Sequence, residues 1–285
     1  FSFGYSDNSE YKFYTVSLQL MPWLETTIRY TQVDDVLYSN DKSFSGDTKY
    51  ADKGIDAKLR LLNESHWLPE VSVGLKDIGG TGLFDGEFIA ATKRLSTEDY
   101  GQFDITLGIG WGYFGTRGNI SNPLCNAAER FCSRISGYSG NGGSVDYNRW
   151  FSGPASLFGG IEYQTPYEPL RLKLEYDGND YSDDFPVKHG VDMTPKTPWN
   201  FGAIYEVSDG VDVRLSYERG TTVALGFNLT TNFNTMQTPW IDNSAPTLGV
   251  DQPTTLNGVD WKKLDQELDD IAGYKSTAIY QQDDT

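Results

Sequence analysis

Residues 24–31 read Leu24-Glu25-Thr26-Thr27-Ile28-Arg29-Tyr30-Thr31, with Leu, Thr, Ile and Tyr on one set of alternate positions and Glu, Thr, Arg and Thr on the other. Successive side chains of a strand point to opposite faces, so this segment has one oily wall and one charged wall. Residues 170–177 repeat it, with Leu170, Leu172, Leu174 and Tyr176 against Arg171, Lys173, Glu175 and Asp177. Residues 211–218 do so again, with Val211, Val213, Leu215 and Tyr217 against Asp212, Arg214, Ser216 and Glu218. In a water-soluble sandwich the charged face meets water and the oily face a second sheet. In an outer-membrane barrel the oily face meets lipid and the charged face lines the interior. The choice between these two decides what the chain can do.

Strand-like segments fall at 1–7, 11–21, 23–33, 54–63, 69–77, 85–95, 102–114, 155–165, 169–178, 199–207, 210–219 and 221–231. Twelve is an even number, as a bacterial single-chain barrel requires. The long connections, 34–53, 115–154 and 179–198, all follow odd strands, and every connection after an even strand is short. Short turns opposite long loops produce this parity in a barrel, whereas a Greek-key sandwich gives none. The aromatics agree: Trp23, Trp67, Tyr100, Tyr163, Tyr167 and Tyr205 gather at the short-turn end, and Trp111, Tyr113, Tyr176, Trp199 and Tyr217 at the other. Two belts one strand length apart match the two interfaces of a lipid-facing wall.

The expected fold is therefore all-β, a transmembrane antiparallel β-barrel of about 12 strands over residues 1–231, in a bacterial outer membrane with both ends periplasmic. Residues 232–257 read as a Thr/Asn/Pro-rich linker. From 258 to 285 a short periplasmic α/β segment is expected. Trp261, Leu264, Leu268 and Ile271 recur at helical spacing, with Asp260 as N-cap and Gly273 as stop, and 274–280 reads as a short strand.

Composition fits. The 285 residues carry a net charge of −17, 14% aromatic residues and 30 Gly. No run of about 18 apolar residues occurs, which excludes a transmembrane helix. A mean hydropathy of −0.49 suits alternating barrel strands as well as a soluble protein. The acidic balance argues against a nucleic-acid partner, which would need clustered Lys and Arg. Phe1 opens directly on a strand pattern, as a processed or trimmed start would. Cys125 and Cys132 lie in a Gly/Asn/Ser-rich stretch. A disulfide there suits an oxidising compartment; two free thiols are the alternative, and no His or carboxylate cluster flanks them to hold a metal.

The inward wall would carry Glu25, Arg29, Asp56, Lys58, Arg60, Lys76, Asp104, Glu162, Arg171, Lys173, Glu175, Asp212, Arg214 and Glu218. Both signs occur in near-equal numbers, which suits a cross-strand ion-pair lattice or a wet pore for a polar solute. Gly108, Gly110 and Gly112 are expected inward on strand seven, admitting bulky neighbours or letting the wall bend. The two histidines, His66 and His189, fall at opposite ends, so no Ser/His/acid constellation forms and no cofactor or enzyme activity is expected. The acidic run around Asp177, Asp180, Asp183 and Asp184 reads as a solvated loop, with glycosidase or calcium chemistry the lesser alternative. Aromatics in the long loops, Tyr38, Phe44, Tyr50, Tyr138, Tyr147, Trp150, Phe151, Tyr181 and Phe185, suit sugar rings and loop packing alike.

Several blocks carry a family resemblance. Residues 18–25, Leu-Gln-Leu-Met-Pro-Trp-Leu-Glu, followed by Ile28-Arg29-Tyr30, resemble the opening of the YjbH/GfcD family of exopolysaccharide- and capsule-associated outer-membrane proteins. The segment 52–62 continues the likeness, and residues 75–84, Leu-Lys-Asp-Ile-Gly-Gly-Thr-Gly-Leu-Phe, are its most specific part. Residues 91–94, 158–166, 172–177 and 217–220 are also similar to family blocks, so the resemblance covers roughly residues 1–230. It implies a part in exporting an extracellular or capsular polysaccharide, with outer-membrane lipid and periplasmic or outer-membrane export proteins as partners. It further implies a second barrel, absent or beyond Thr285. No catalytic residue carries over. A general diffusion porin for small polar solutes and a non-transporting, adhesin-like glycan-binding barrel are the alternatives.

Overall fold

The structure, a computed structural model, describes residues 1–97, 99–135, 143, 145–233 and 256–272. Twelve antiparallel strands follow the period-two pattern: β1 (Ser2–Asp7), β2 (Tyr11–Met21), β3 (Leu24–Leu37), β4 (Lys49–Leu62), β5 (Glu70–Lys76), β6 (Gly86–Thr97), β7 (Gly101–Gly112), β8 (Ala155–Gln164), β9 (Leu170–Tyr176), β10 (Trp199–Ser208), β11 (Val211–Glu218) and β12 (Thr222–Thr230). Each pairs with its neighbours in sequence, and β1 closes on β12. Closure leaves no unpaired strand edge, the condition for β-structure in hydrocarbon. Two helical turns, α1 (Lys42–Ser45) and α2 (Phe185–Lys188), sit in the loops after β3 and β9. Both β3 and β4 outrun their expected ends, because their pairing continues as a hairpin from Gln32–Ala51 to Leu37–Lys49.

Residues paired across a ladder share a face, so the register sorts the whole wall. Ile28, Ile55, Leu107, Leu157, Leu215, Val223 and Leu225 all point outward and are exposed, Leu107 by 70%. An apolar band of this extent is tolerated on a barrel whose wall meets lipid. The band is bounded at the turn end by exposed Trp67, Tyr100, Tyr167 and Tyr205, and at the loop end by Trp199 and Tyr217, whereas Trp23, expected in the turn-end belt, borders a cavity of the bore with Glu25, Lys58 and Arg60.

Two members of the loop-end belt behave differently. Trp111 points outward but is almost fully buried, its ring edge-on to Phe151 at 5.2 Å, because the chain around Arg134 and Phe151 packs over the outside of the wall. The same packing buries outward-facing Glu87, whose carboxylate takes two bonds of 2.9 Å from Arg134. Tyr113 instead turns into the bore. Gly112 also departs from expectation: its φ of +58° ends the strand, and a side chain there would strike Arg134 and the Asp85 carbonyl.

Cys125 and Cys132 are joined as a disulfide within the 113–154 connection. Beyond the barrel, α3 (Trp261–Ala272) forms where the helical spacing predicted it, and Asp260 accepts from the Lys263 N–H as its cap. The expected stop at Gly273, the strand at 274–280 and most of the 232–257 linker lie outside the described residues. Residues 1–236 and 237–285 are separate compact units.

The outward band yields a direct check. Leu215→Arg, mid-strand on the lipid face, is expected to destabilise the barrel by ~2–4 kcal/mol. Its neighbour Ser216→Arg points into the bore and is expected to cost less than about 1 kcal/mol, both read by equilibrium unfolding from lipid vesicles.

Candidate functional site

The register turns all fourteen charged candidates inward: Glu25 faces Lys58 across β3 and β4, Asp104 faces Glu162, and Glu162 faces Lys173. Arg29, Asp56, Arg60 and Lys76 share that face with Gly54, Thr27, Ser72 and Gly86, and Glu175, Arg171, Asp212, Arg214 and Glu218 complete it on β9 and β11. They do not form one uniform lattice. The two halves of the bore differ.

At the turn end the charges are paired but partly hydrated. Arg171 lies 3.3 Å from Glu162 and 3.2 Å from Asp212, Lys173 lies 2.7 Å from Glu162, and Arg60 lies 3.5 Å from Glu70. Arg94 grips Asp104 through two bonds of 2.8 and 2.9 Å. Among the described residues, Lys58, Lys76 and Arg214 have no carboxylate within ion-pair distance, nor do Glu25, Glu175 and Glu218 have a cation. Glu218 accepts from Ser216 instead. Sequence reasoning missed Arg94 and Glu70, although both lie on the inward alternation of their strands.

At the loop end the bore is shut. Phe13 on β2, Phe84 from the β5–β6 loop, Tyr113 and Phe114 beyond β7, and Phe158 on β8 form a chain of rings with successive centroids 6.1, 5.3, 6.1 and 6.5 Å apart. Strands β2 and β8 are six places apart in a ring of twelve, so this chain crosses the bore. Gly108 and Gly110 make room for it, as a side chain at either would meet Phe158 or Phe114. Tyr11, Val33, Val36, Phe84 and Met193 form the buried core of the septum, with Tyr50, Tyr181, Phe185, Val187 and Val191 packed against it.

Beneath the septum sits Arg29, 3% exposed. Its guanidinium lies 3.4 Å from Asp52, 3.7 Å from Asp56 and 3.4 Å from Asp77, and 4.6 Å from the Phe84 ring centre. The loop after β5 is built on these carboxylates. Asp77 accepts from the Phe84 N–H at 3.2 Å, Asp56 from the Asp77 N–H at 2.9 Å, and Asp52 from the Thr81 hydroxyl at 2.5 Å. Lys76 points its ammonium at three septum rings, 5.0 Å from Tyr113, 5.3 Å from Phe114 and 5.7 Å from Phe84. The motif at 75–84 is thus the septum's frame.

The acidic run on the β9–β10 loop is not simply solvated. Asp184 is buried, accepts from the Tyr11 hydroxyl at 2.8 Å and lies 3.5 Å from that of Tyr113. Burial raises its carboxyl from the ordinary 3.8 to about 6, against the opposing pull of Tyr11, Asn179, Arg219 and Lys76. Asp177 accepts from Tyr181, while Asp183 stays at the surface 4.0 Å from Lys188. No group able to hold a metal occurs among the described residues. Of the loop aromatics, Tyr50, Tyr181 and Phe185 serve the septum, Phe151 covers Trp111, and Tyr38 stacks on Phe44. Tyr147 is exposed, Trp150 is half-buried, and Tyr138 lies outside the described residues.

Two cavities of about 210 Å³ each occupy the bore on the turn side of the septum. They share Glu25 and Lys58, one reaching down to Pro22, Trp23 and Arg60, the other up to Lys76, Phe88 and Phe114. A third space of about 410 Å³ lies among the loops, bordered by the septum residues Leu83, Tyr113 and Asp184.

The whole chain, residues 1–285, matches the YjbH family, described as "Exopolysaccharide biosynthesis protein YbjH". The chain belongs to the YjbH family. It is 54% identical over 245 residues to the "Uncharacterized lipoprotein YjbH" of Escherichia coli (strain K12), an alignment covering 86% of this chain and 34% of that protein. The chain therefore spans about a third of the length of its curated YjbH relative. Among solved structures it is similar to the KdgM porin (9% identity, 81% of this chain and 98% of that one, TM-score 0.42) and to the NanC porin (12%, 81% and 98%, TM-score 0.37).

Two outcomes follow from the geometry of this YjbH barrel. Arg29→Met leaves Asp52 and Asp77 buried without their cation, and is expected to cost ~3–5 kcal/mol in unfolding from vesicles. The second concerns pH. Folded Asp184 holds its proton up to about pH 6, whereas the unfolded chain releases it near 3.8, so the stability that Asp184 contributes is full below about pH 4 and is lost as pH rises through 6. Amide protection factors over residues 179–190, corrected for the intrinsic rise of exchange with pH, are expected to fall across that window more steeply than in Asp184→Asn.

Proposed function

We propose that this barrel takes part in carrying an exopolysaccharide across the outer membrane, as a gated passage and not as an enzyme. The reading places the short turns and both ends of the barrel in the periplasm and the long loops outside. One observation carries it: a bore lined with charge ends at a septum in which loop residues, Phe84, Tyr113, Phe114 and Phe185, fill the span between wall residues such as Tyr11, Phe13 and Phe158. A closure built from loops opens by moving them, while the twelve-strand ring stays paired. The family's description in terms of exopolysaccharide biosynthesis supports the substrate class.

A general diffusion porin is less well supported, because a passage for small solutes has no use for a septum across its mouth. The segment after the barrel is read as the start of a periplasmic α/β module that would meet export partners.

The test is the location of the polysaccharide in a strain lacking this protein, measured separately in periplasm and medium. Accumulation in the periplasm with loss from the medium is the expected result. Unchanged export with altered retention at the cell surface would replace the passage with a glycan-binding barrel.

A further inference from the structure

The two cavities below the septum adjoin at Glu25 and Lys58, and their lining is chemically mixed. Glu25 and Asp56 offer carboxylates, Lys58 and Lys76 offer ammonium groups, and Thr27 a hydroxyl. Phe88 and Phe114 close the upper end with aromatic surface, and Trp23 stands at the lower mouth. The four charges around the upper cavity sum to zero, so a charged solute gains no net attraction on entering and must shed its hydration. A pyranose needs neither. Its hydroxyls donate to carboxylates and accept from ammonium groups, and its C–H faces rest on aromatic rings. Neither Lys58 nor Lys76 has a carboxylate within ion-pair distance among the described residues, so the bonds of both ammonium groups are open to hydroxyls even though Lys76 faces the septum rings, while Asp56 is already engaged by Arg29 and the Asp77 N–H.

We propose that this space is a binding track for an uncharged oligosaccharide, with Lys58 and Lys76 bonding its hydroxyls and Phe88, Phe114 and Trp23 taking its ring faces. The proposal rests on the export reading for its substrate class and adds which sugars bind and where. The track lies wholly on the turn side of the septum, so it loads while the loop end is shut.

The experiment is calorimetric titration of the full chain in detergent micelles with cellotriose and maltotriose, and with their C6-carboxylate counterparts, at low salt. At least one neutral trisaccharide is expected to bind. Its carboxylated counterpart should bind no more tightly, and Lys76→Met and Lys58→Met should each weaken binding about tenfold, the loss of one charge-assisted hydrogen bond. Lys58 is exposed to the bore and bears on no packing, so its variant reports binding even where Lys76→Met fails to fold. Failure of both neutral sugars to bind, tenfold tighter binding of a carboxylated one, or wild-type affinity in Lys58→Met would overturn the proposal. Because binding is read on the isolated chain, its failure is distinct from a failure of the export experiment in cells.

Discussion

Arg29 brings one positive charge to a place where three carboxylates converge, and the shape of the bore depends on it. Asp52 and Asp77 are fully buried, and a carboxylate buried without a cation within reach is costly. With Arg29 in place the carboxylates are free to hold the loop after β5 through the Phe84 and Asp77 N–H groups and the Thr81 hydroxyl. That anchorage sets Phe84 inside the bore, and Phe84 is the ring that joins Tyr11 and Phe13 on β2 to Tyr113 beyond β7. The interaction is one of charge more than of hydrogen bonding. Two guanidinium nitrogens of Arg29 and one oxygen of Asp77 have no hydrogen-bond partner, and the ion-pair distances are 3.4–3.7 Å. A hub held this way is strong enough to fix a loop and loose enough to leave it separable from the wall.

The asymmetry of the bore follows. Toward the loops, burial is nearly complete and aromatic packing does the closing. Toward the turns, ion pairs such as Lys173–Glu162 remain in contact with solvent, and exposed pairs of this kind contribute little to stability. Their value lies in keeping a wide, wettable surface that does not collapse. The strand ring supplies the stability, the turn-side charges the wet surface, and the loops the closure.

What the sequence disclosed divides along the same line. The strands were legible because lipid on one side and a polar bore on the other enforce a strict period of two, and the inward side of Glu25 through Glu218 follows from that period alone. The septum was not legible. Phe84 and Phe185 sit in connections with no periodicity, and Tyr113, which the alternation of 102–114 predicts as an outward belt residue, lies beyond the end of β7 at Gly112, so tertiary contacts and not local pattern decide the direction of all three. The outward alternation of β7 predicts a belt residue at Trp111, but Phe151 packs over it and takes it out of lipid. Asp52 was within reach of the pattern, lying two and four residues before inward Gly54 and Asp56. The alternation alone starts β4 at 54 and leaves Asp52 outside it, whereas its pairing begins at Lys49.

The glycines around the hub show how closely the motif is bound to it. A side chain at Gly54 would lie 2.5 Å from the Arg29 guanidinium and 2.4 Å from Asp77, and one at Gly80 would lie 1.8 Å from Asp77 and 2.8 Å from the Lys53 carbonyl. Backbone is therefore the only thing that fits between the hub and the wall at these two points. The glycine at 80 belongs to the loop and the glycine at 54 to the barrel, so the close fit is made from both sides. A sequence that kept Arg29 and the three aspartates but lost either glycine would have the charges without the distance over which they act. The glycine-rich block at 75–84 is thus best understood as a steric requirement of a buried arginine, from which the closed end of the bore follows.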